Sequence, residues 1–347
     1  MIDPAVSVVL PMYNAERYIG EAVASVLNQT FSDFELIIID DGSTDDSAAL
    51  ARAFDDSRIH IVSLPHAGLV AALNHGIARS TGRYIARMDA DDIAHPARLS
   101  TQVAYLEKYK RVHLLGTWFT AFSGDNRSLI APHYDDKSIK SQLFLNNRFG
   151  HGTVMIRKEV LITSGHYRSE LFPAEDYDLW LRISEVSEVA NVPTSLYDWR
   201  KSDAQISVRM QYLARQRARQ AVSLALQRAL SGYDSLGRRL DFTHNPEAST
   251  AALLGYASGA LSMGHYSLAK SLILRASAIT PTEMSRTLLL LGSICSPQSL
   301  QGASRPLRRL MRSLIVVPAI AGALRGELLW SYLPKAVQEV LTPEARA

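Results

Sequence analysis

At 347 residues, with 47% hydrophobic and 20% charged side chains, the chain has the makeup of a globular protein with room for about two domains. The net charge of +3 carries little information and no nucleic-acid partner is expected, while a lone cysteine, Cys295, excludes an intramolecular disulfide and a cysteine zinc site. No apolar stretch reaches the roughly 18 residues that a membrane-spanning helix needs. The opening MIDPAVSVVLPMYN lacks a basic segment followed by an apolar one, so no secretory leader is expected and a cytoplasmic setting is the default.

In chain order, Val6 to Pro11 is a short β-branched run that reads as a buried strand. Asn14 follows in a turn and is placed to cap a helix with Ile19, Val23, Val26 and Leu27 on its apolar face. Phe34 to Ile39 is a second strand ending in Asp40-Asp41-Gly42-Ser43-Thr44-Asp45, and a helix then carries Ala48, Leu50, Ala51 and Phe54. A third strand runs over 59–62, followed by a glycine turn at Gly68 and a helix through Leu73 and Ile77. A fourth strand, Tyr84 to Met88, runs directly into Asp89-Ala90-Asp91-Asp92, and Pro96 opens the helical pattern of Leu99, Val103 and Leu106.

Strands alternating with helices of roughly 10–15 residues predict βαβ units and a mostly parallel sheet. In such a sheet the two carboxylate-rich turns lie on one edge, where ligands bind. Three carboxylates within four residues repel one another unless a cation neutralises them. Neither a G-x-G-x-x-G after the first strand nor a phosphate-binding G-x-x-x-x-G-K-[ST] is present. A nucleotide bound here therefore needs a metal for its phosphates, and hard oxygen ligands select Mg²⁺ or Mn²⁺.

Val112 to Phe119 suits another strand, and His151 to Ile156 a strand led by a histidine. Residues 172–183, FPAEDYDLWLRI, read as a helix start, with Pro173 at its entry and Leu179, Trp180 and Ile183 as the buried stripe. After Pro193 the character changes: residues 208–231 are Arg-rich and amphipathic, and Pro246 marks a break. Residues 253–281 carry the spacing of one tetratricopeptide-like hairpin, with Gly264, Tyr266, Ala269, Ala276 and Pro281. Residues 305–330 place Arg305, Arg308, Arg309 and Arg312 before an apolar run from Leu314 to Leu324. Such a helix either lies in an anionic membrane interface or docks on its own domain.

Three of these segments carry a resemblance. VSVVLPMYNAERYIGEAVASVLNQTFSDFELIIIDDGSTDDS resembles the opening of the family 2 inverting glycosyltransferases, which have a GT-A fold. GRYIARMDADD is similar to their DxD segment and FPAEDYDLWLRI to their ED motif, in the same order along roughly residues 5–205. The resemblance implies a GT-A α/β domain over 1–205 and leaves 206–347 as an α-helical extension outside it. It assigns Pro11, Tyr13 and Glu16 to the nucleotide pocket, with Tyr13 against the base, and Asp41 to the base edge. It assigns Asp89 to the ribose hydroxyl, Asp91 to a Mn²⁺ or Mg²⁺ ion on the diphosphate, His151 to the donor phosphates, and Asp176 to the role of general base. Asp92 is read as either a ligand or a turn residue, and Asn74 as either a pocket residue or a local hydrogen-bonder.

The implied activity is inverting transfer from a nucleotide sugar, in the first instance a UDP-sugar, to a hydroxyl of a glycan or lipid-linked glycan, in bacterial cell-surface polysaccharide or lipid-linked oligosaccharide synthesis; the protein is then cytoplasmic, with the inner face of the plasma membrane as the surface that the 305–330 segment would meet. Two other readings stand beside it. A nucleotidyltransferase would use a related sheet but needs a basic glycine-rich loop where Pro11 to Glu16 stands; an inactive scaffold would act through the helical tail, against the presence of Asp89, Asp91 and Asp176.

Overall fold

The computed structural model describes residues 3–201, 209–239, 241, 245–263 and 265–279. They fall into two compact units. One holds the residues up to Tyr134 with Arg148–Ile183 and Ser187–Ala221; the other holds Asp135–Asn147, Ser184–Val186 and the residues from Val222 on.

The first unit is built on β1 (Val6–Met12), β2 (Phe34–Asp40), β3 (Ile59–Ser63), β4 (Tyr84–Arg87), β5 (Ile93–Ala94), β6 (Val112–Ser123), β7 (Asn126–Ile130), β8 (Met155–Arg157) and β9 (Glu188–Arg200). These strands form one sheet in the order β3-β2-β1-β4-β8-β6-β9-β5, with β7 also paired to β6. The half predicted from alternation is parallel: β1 pairs with β2 and β4, and β2 with β3. Beyond β4 the sheet is mixed, because β8 runs against both β4 and β6. Every residue of β1, β2 and β4 is buried, as continuous apolar runs covered on both faces require.

The connecting helices are α1 (Ile19–Leu27), α2 (Ser47–Arg52), α3 (Leu69–Arg79) and α4 (Arg98–Lys108). Asn14 does not cap α1. It takes a positive φ of 48°, which Asn tolerates, and its side-chain oxygen accepts from the Thr44 N–H at 2.8 Å instead. Residues 151–156 are also not one strand. His151–Thr153 is a single 3₁₀ turn and only Met155–Arg157 joins the sheet. Thr153 closes the turn by bonding back to the Gly150 carbonyl, and Tyr197 packs so close that a Cβ on Gly152 would lie 2.2 Å from its hydroxyl, which keeps that position glycine. Pro193, after which the sequence changes character, lies within a strand. It sits inside β9 where the register against β6 slips between Thr117 and Trp118, a bulge that needs no N–H.

Helices α6 (Lys158–Ser164) and α7 (Glu175–Ser184) follow β8, and the Phe172–Pro173 peptide before α7 is cis. Asp178 and Arg182 pair on α7 with Nε and Nη2 at 2.9 and 2.7 Å, and the same guanidinium bonds the carbonyls of Gly165 and His166. That buried pair fixes the segment leading into α7.

In the second unit α5 (Asp136–Leu143) packs on α9 (Pro246–Ser262), and α9 pairs with α10 (Tyr266–Ile279). Gly255 and Gly259 face α5 so closely that a Cβ would come within 2.4 Å of the Lys140 carbonyl and of the Phe144 ring. Arg228, on α8 (Gln211–Ser231), is fully buried between Glu185, at 2.8 and 2.9 Å, and Asp234. The Tyr256 hydroxyl joins Glu185 at 2.8 Å. Of the predicted hairpin positions, Gly264 and Pro281 lie outside the described residues, as does the whole of 305–330. Among the described residues no helix is long and apolar enough to cross a membrane.

Candidate active site

Strands β2, β1 and β4 are neighbours and parallel, so their carboxyl ends share one edge. β4 leaves β1 after the pairing of Val9 with Arg87, while β1 continues beside β2 to Met12 and Asp40. Pro11 to Tyr13, Asp40-Asp41 and the acidic turn thus follow one another along that edge, the position where open α/β sheets bind ligands. Pro11 is buried and lies past the last β4 partner, where its missing N–H leaves no ladder bond unmade.

On the β2 side, the loops after β1 and β2 are stitched together. The Glu16 N–H donates to Asp45 at 3.1 Å, the Asp46 N–H donates to Glu16 Oε2 at 3.1 Å, and the Ala15 N–H reaches Ser47 Oγ at 2.7 Å. Glu16 thus binds the N-terminus of α2. Asp41 is buried, and its two carboxylate oxygens accept the N–H groups of Ala67 and Gly68 at 2.8 and 2.9 Å. His66 Nδ1 lies 2.9 Å from the same carboxylate, and the His66 ring stacks on Tyr13 with centroids 4.2 Å apart. Tyr13 is 47% exposed. Gly68, at φ 92°, lets the chain turn into α3 beneath Asp41. A cavity of about 550 Å³ opens alongside, lined by the first turns of α3, Asn74 and residues 167–172. Asn74 is no local bonder: its amide exchanges bonds with the Tyr167 backbone at 2.9 and 3.1 Å.

On the β4 side the centre is Arg87, buried at the last position of the strand and paired with Asp89. Burial disfavours its charge, but Asp89 outweighs that and holds the guanidinium ionised. Around it lie the groups that respond to it. Asp91 is pushed up to about 6 by burial and by the Asp89 charge, with Arg87 and Arg200 pulling the other way. Next to it Asp92 is raised well above its ordinary value by burial and by the Asp89 and Asp91 charges, against which the Arg200 N–H, 2.7 Å from one oxygen, and the Tyr197 hydroxyl pull. Burial and the Arg87 charge hold His151 neutral, its Nε2 3.0 Å from the Tyr167 hydroxyl.

Helix α7 brings in the third group. Glu175, at its first position, is buried and pushed up to about 8 by burial and by Asp176, with Oε2 lacking a partner. Asp176 is half-buried and accepts from the Tyr177 N–H at 2.6 Å. Asp89, Asp91, His151, Glu175 and Asp176 therefore form one electrostatic cluster, while Tyr13, Asp41 and His66 form a second corner along the same edge.

Among the described residues no group of three or more His, Cys, Asp or Glu side chains is arranged to hold a cation by itself. The acidic turn nevertheless fits a hard divalent ion. Asp91 is lifted by burial and then by the Asp89 charge, the second of which a cation would relieve, and Mg²⁺-type sites take one or two carboxylates with phosphate and water completing the shell. Arg87, Arg98, Arg200, Tyr197 and His66 were not singled out from the sequence. An arginine closing a buried apolar strand before an acidic turn was the available signal, since arginine is almost never buried unpaired.

The model of the family described as "Glycosyl transferase family 2" matches residues 7–165. The putative glycosyltransferase EpsE of Bacillus subtilis is 37% identical over 211 residues, 58% of this chain and 75% of its own length. The O-antigen biosynthesis glycosyltransferase WbnJ of Escherichia coli is 33% identical over 54% of this chain and 74% of its own. The E. coli UDP-Glc:alpha-D-GlcNAc-diphosphoundecaprenol beta-1,3-glucosyltransferase WfgD is 29% identical over 74% of this chain and 93% of its own. The crystal structure of S. aureus TarS 1–349 in complex with UDP superposes with a TM-score of 0.54 at 16% identity, covering 83% of this chain and 86% of that one, and the likeness shows a GT-A-like fold. The chain belongs to family 2 of the glycosyltransferases.

Proposed function

We propose that this glycosyltransferase moves a sugar from a UDP-sugar to a hydroxyl of a lipid-linked glycan, by a single displacement that inverts the anomeric carbon. The observation that carries the reading is the gathering of the Asp89–Asp92 turn, His151 and the start of α7 around Arg87. Tyr13 and Asp41 offer a stacking face and a carboxylate edge to the base, and the carboxylate still has lone pairs beyond the two backbone bonds. Asp89 takes the ribose hydroxyl, and Asp91 faces the diphosphate, where a bound Mn²⁺ or Mg²⁺ would neutralise charge on the leaving group.

Asp176 is the base. It removes the acceptor proton as the acceptor oxygen bonds to C1 and the C1–O bond to the diphosphate breaks. Glu175, buried and protonated at neutral pH, is the poorer base, whereas Asp176 is half-open at the helix start. The choice of UDP draws on the uridine nucleotides in the names of WfgD and the TarS complex, and the choice of acceptor on the diphosphoundecaprenol glycan in the name of WfgD. Screening UDP-, GDP- and dTDP-sugars for nucleotide release with a lipid-diphosphate glycan tests the reading. Release from a UDP-sugar alone is expected, and release only from another nucleotide would overturn the choice of donor.

A further inference from the structure

The acidic turn is gripped at both ends by arginines, Arg98 from the helix that follows it and Arg200 from a strand remote in sequence. At its start, Arg98 Nη2 donates to the Arg87 carbonyl at 2.7 Å and to the Val154 carbonyl at 3.2 Å. At its end, Arg200 Nε donates to the Asp91 carbonyl at 2.7 Å, and the Arg200 backbone N–H donates to Asp92 Oδ1 at 2.7 Å. The same guanidinium reaches Glu21 Oε2 on α1 at 2.6 Å and packs over the rings of Tyr18 and Phe122 at 4.3 and 4.7 Å. β9 adds two further holds: its Tyr197 hydroxyl accepts the Asp89 N–H at 3.1 Å, and it pairs with β5 directly after the turn.

We infer that Arg200 is a positioning residue of the donor site, setting where the Asp91 carboxylate points by holding its backbone against α1 and β6. The inference rests on the reading that Asp91 faces the donor diphosphate and its cation. Three carboxylates within four residues push the turn open, and without ligand the fixed cations beside it are what oppose that. A rigid planar fork suits the task, because Nε and Nη2 bond two acceptors at once while the faces rest on aromatic rings. A lysine can satisfy one of the two acceptors but not both. The Arg200 side chain is only 16% exposed and joins the turn to α1 and β6, so the loss on trimming it is read in stability as well as in affinity.

The test uses the full chain, Arg200→Ala, Arg200→Lys and Glu21→Gln. Three quantities are read: melting temperature, amide hydrogen exchange over residues 88–93, and UDP affinity with Mn²⁺ and with EDTA. Arg200→Ala is expected to melt below the parent but still as a folded protein, to exchange faster over 88–93, and to lose about ten- to a hundred-fold in Mn²⁺-dependent UDP affinity, the scale on which small misplacements act. Its affinity in EDTA should stay unchanged, since the base corner is untouched. Arg200→Lys should fall between, and Glu21→Gln should change little because the Glu21 side chain is 59% exposed. Unchanged exchange over 88–93 overturns the clamp. Faster exchange with unchanged Mn²⁺–UDP affinity makes Arg200 structural only and overturns the positioning role. A parent protein that binds no UDP in Mn²⁺ overturns the donor reading itself, and with it any catalytic meaning of the clamp, while the exchange data still report the hold on the turn.

Discussion

Glu175 Oε1 lies 3.9 Å from His151 Nδ1, and burial holds both groups neutral. Two ionisable side chains meeting this way form a contact between uncharged partners, and that has consequences for pH. The folded value of Glu175, about 8, stands above 4.5, so its contribution to stability is complete below about pH 4.5 and is lost as pH rises toward 8. His151 is lowered from 6.5, so its contribution is present above that value and is lost as pH falls below it. Glu175→Gln keeps the shape and cannot ionise. It should raise the melting temperature at pH 8 by about 2–4 °C relative to the parent and by less at pH 5. Asp91, shifted up to about 6, leaves a residual slope of the same sign in the variant. Equal melting curves for parent and variant at both pH values would contradict the neutral pairing.

Asp41 does two jobs that one substitution separates. Its carboxylate anchors the Ala67 and Gly68 N–H groups at the entry to α3, and in the proposed function it meets the base edge. Asp41→Ala should weaken UDP by about 1–3 kcal/mol, the usual loss when a buried partner goes unpaired, and should lower stability as well. Asp41→Asn retains one acceptor oxygen for the loop. Calorimetry with UDP on both variants, beside their melting curves, makes the check, and full UDP affinity in Asp41→Ala would reduce Asp41 to a turn residue.

How much of this was legible in the sequence follows from how local each cause is. β1, β2 and β4 are short β-branched runs whose burial on both faces leaves a continuous apolar signature, and α1 and α3 show their apolar stripe. The 3₁₀ turn at His151 was not legible, because a short β-branched run reads as strand while the Thr153 bonds to Gly150 close a turn, and the Tyr197 ring packed on Gly152 comes from 45 positions away. β9 was hidden by Pro193, whose tolerance depends on a bulge that only pairing with β6 creates. The acidic turn and the start of α7 could be read as motifs. The arginines that organise them could not, since the bonds of Arg200 to Asp91 and of Arg98 to Val154 bridge segments far apart in the chain.

In the proposed function, Asp91 is the residue on which divalent-ion dependence rests. Diphosphate and carboxylates in one site repel without a cation. UDP affinity should fall in EDTA, and Asp91→Ala should remove most of the difference between EDTA and Mn²⁺. Equal UDP affinity of the parent in EDTA and in Mn²⁺ would contradict the assignment.

The order of four arginines and an apolar run over 305–330 predicts salt-sensitive binding to an anionic membrane surface. Each basic residue near such a surface contributes about 1 kcal/mol, screened by salt. Sedimentation with phosphatidylserine-containing vesicles at low and high salt should separate the full chain from one ending before Arg305. Identical behaviour of the two would favour a helix docked on the protein.

The general base is the centre of the account, and turnover and UDP affinity measured on the same preparations of Asp176→Asn and Glu175→Gln test it most directly. Asp176→Asn should cost about 10²–10⁴ in rate, with UDP affinity within a few-fold of the parent, because the base corner and Asp91 are intact. Glu175→Gln, already neutral in the parent at pH 7, should retain most of its turnover. Full turnover in Asp176→Asn with loss in Glu175→Gln would contradict the assignment and move the base one position along α7.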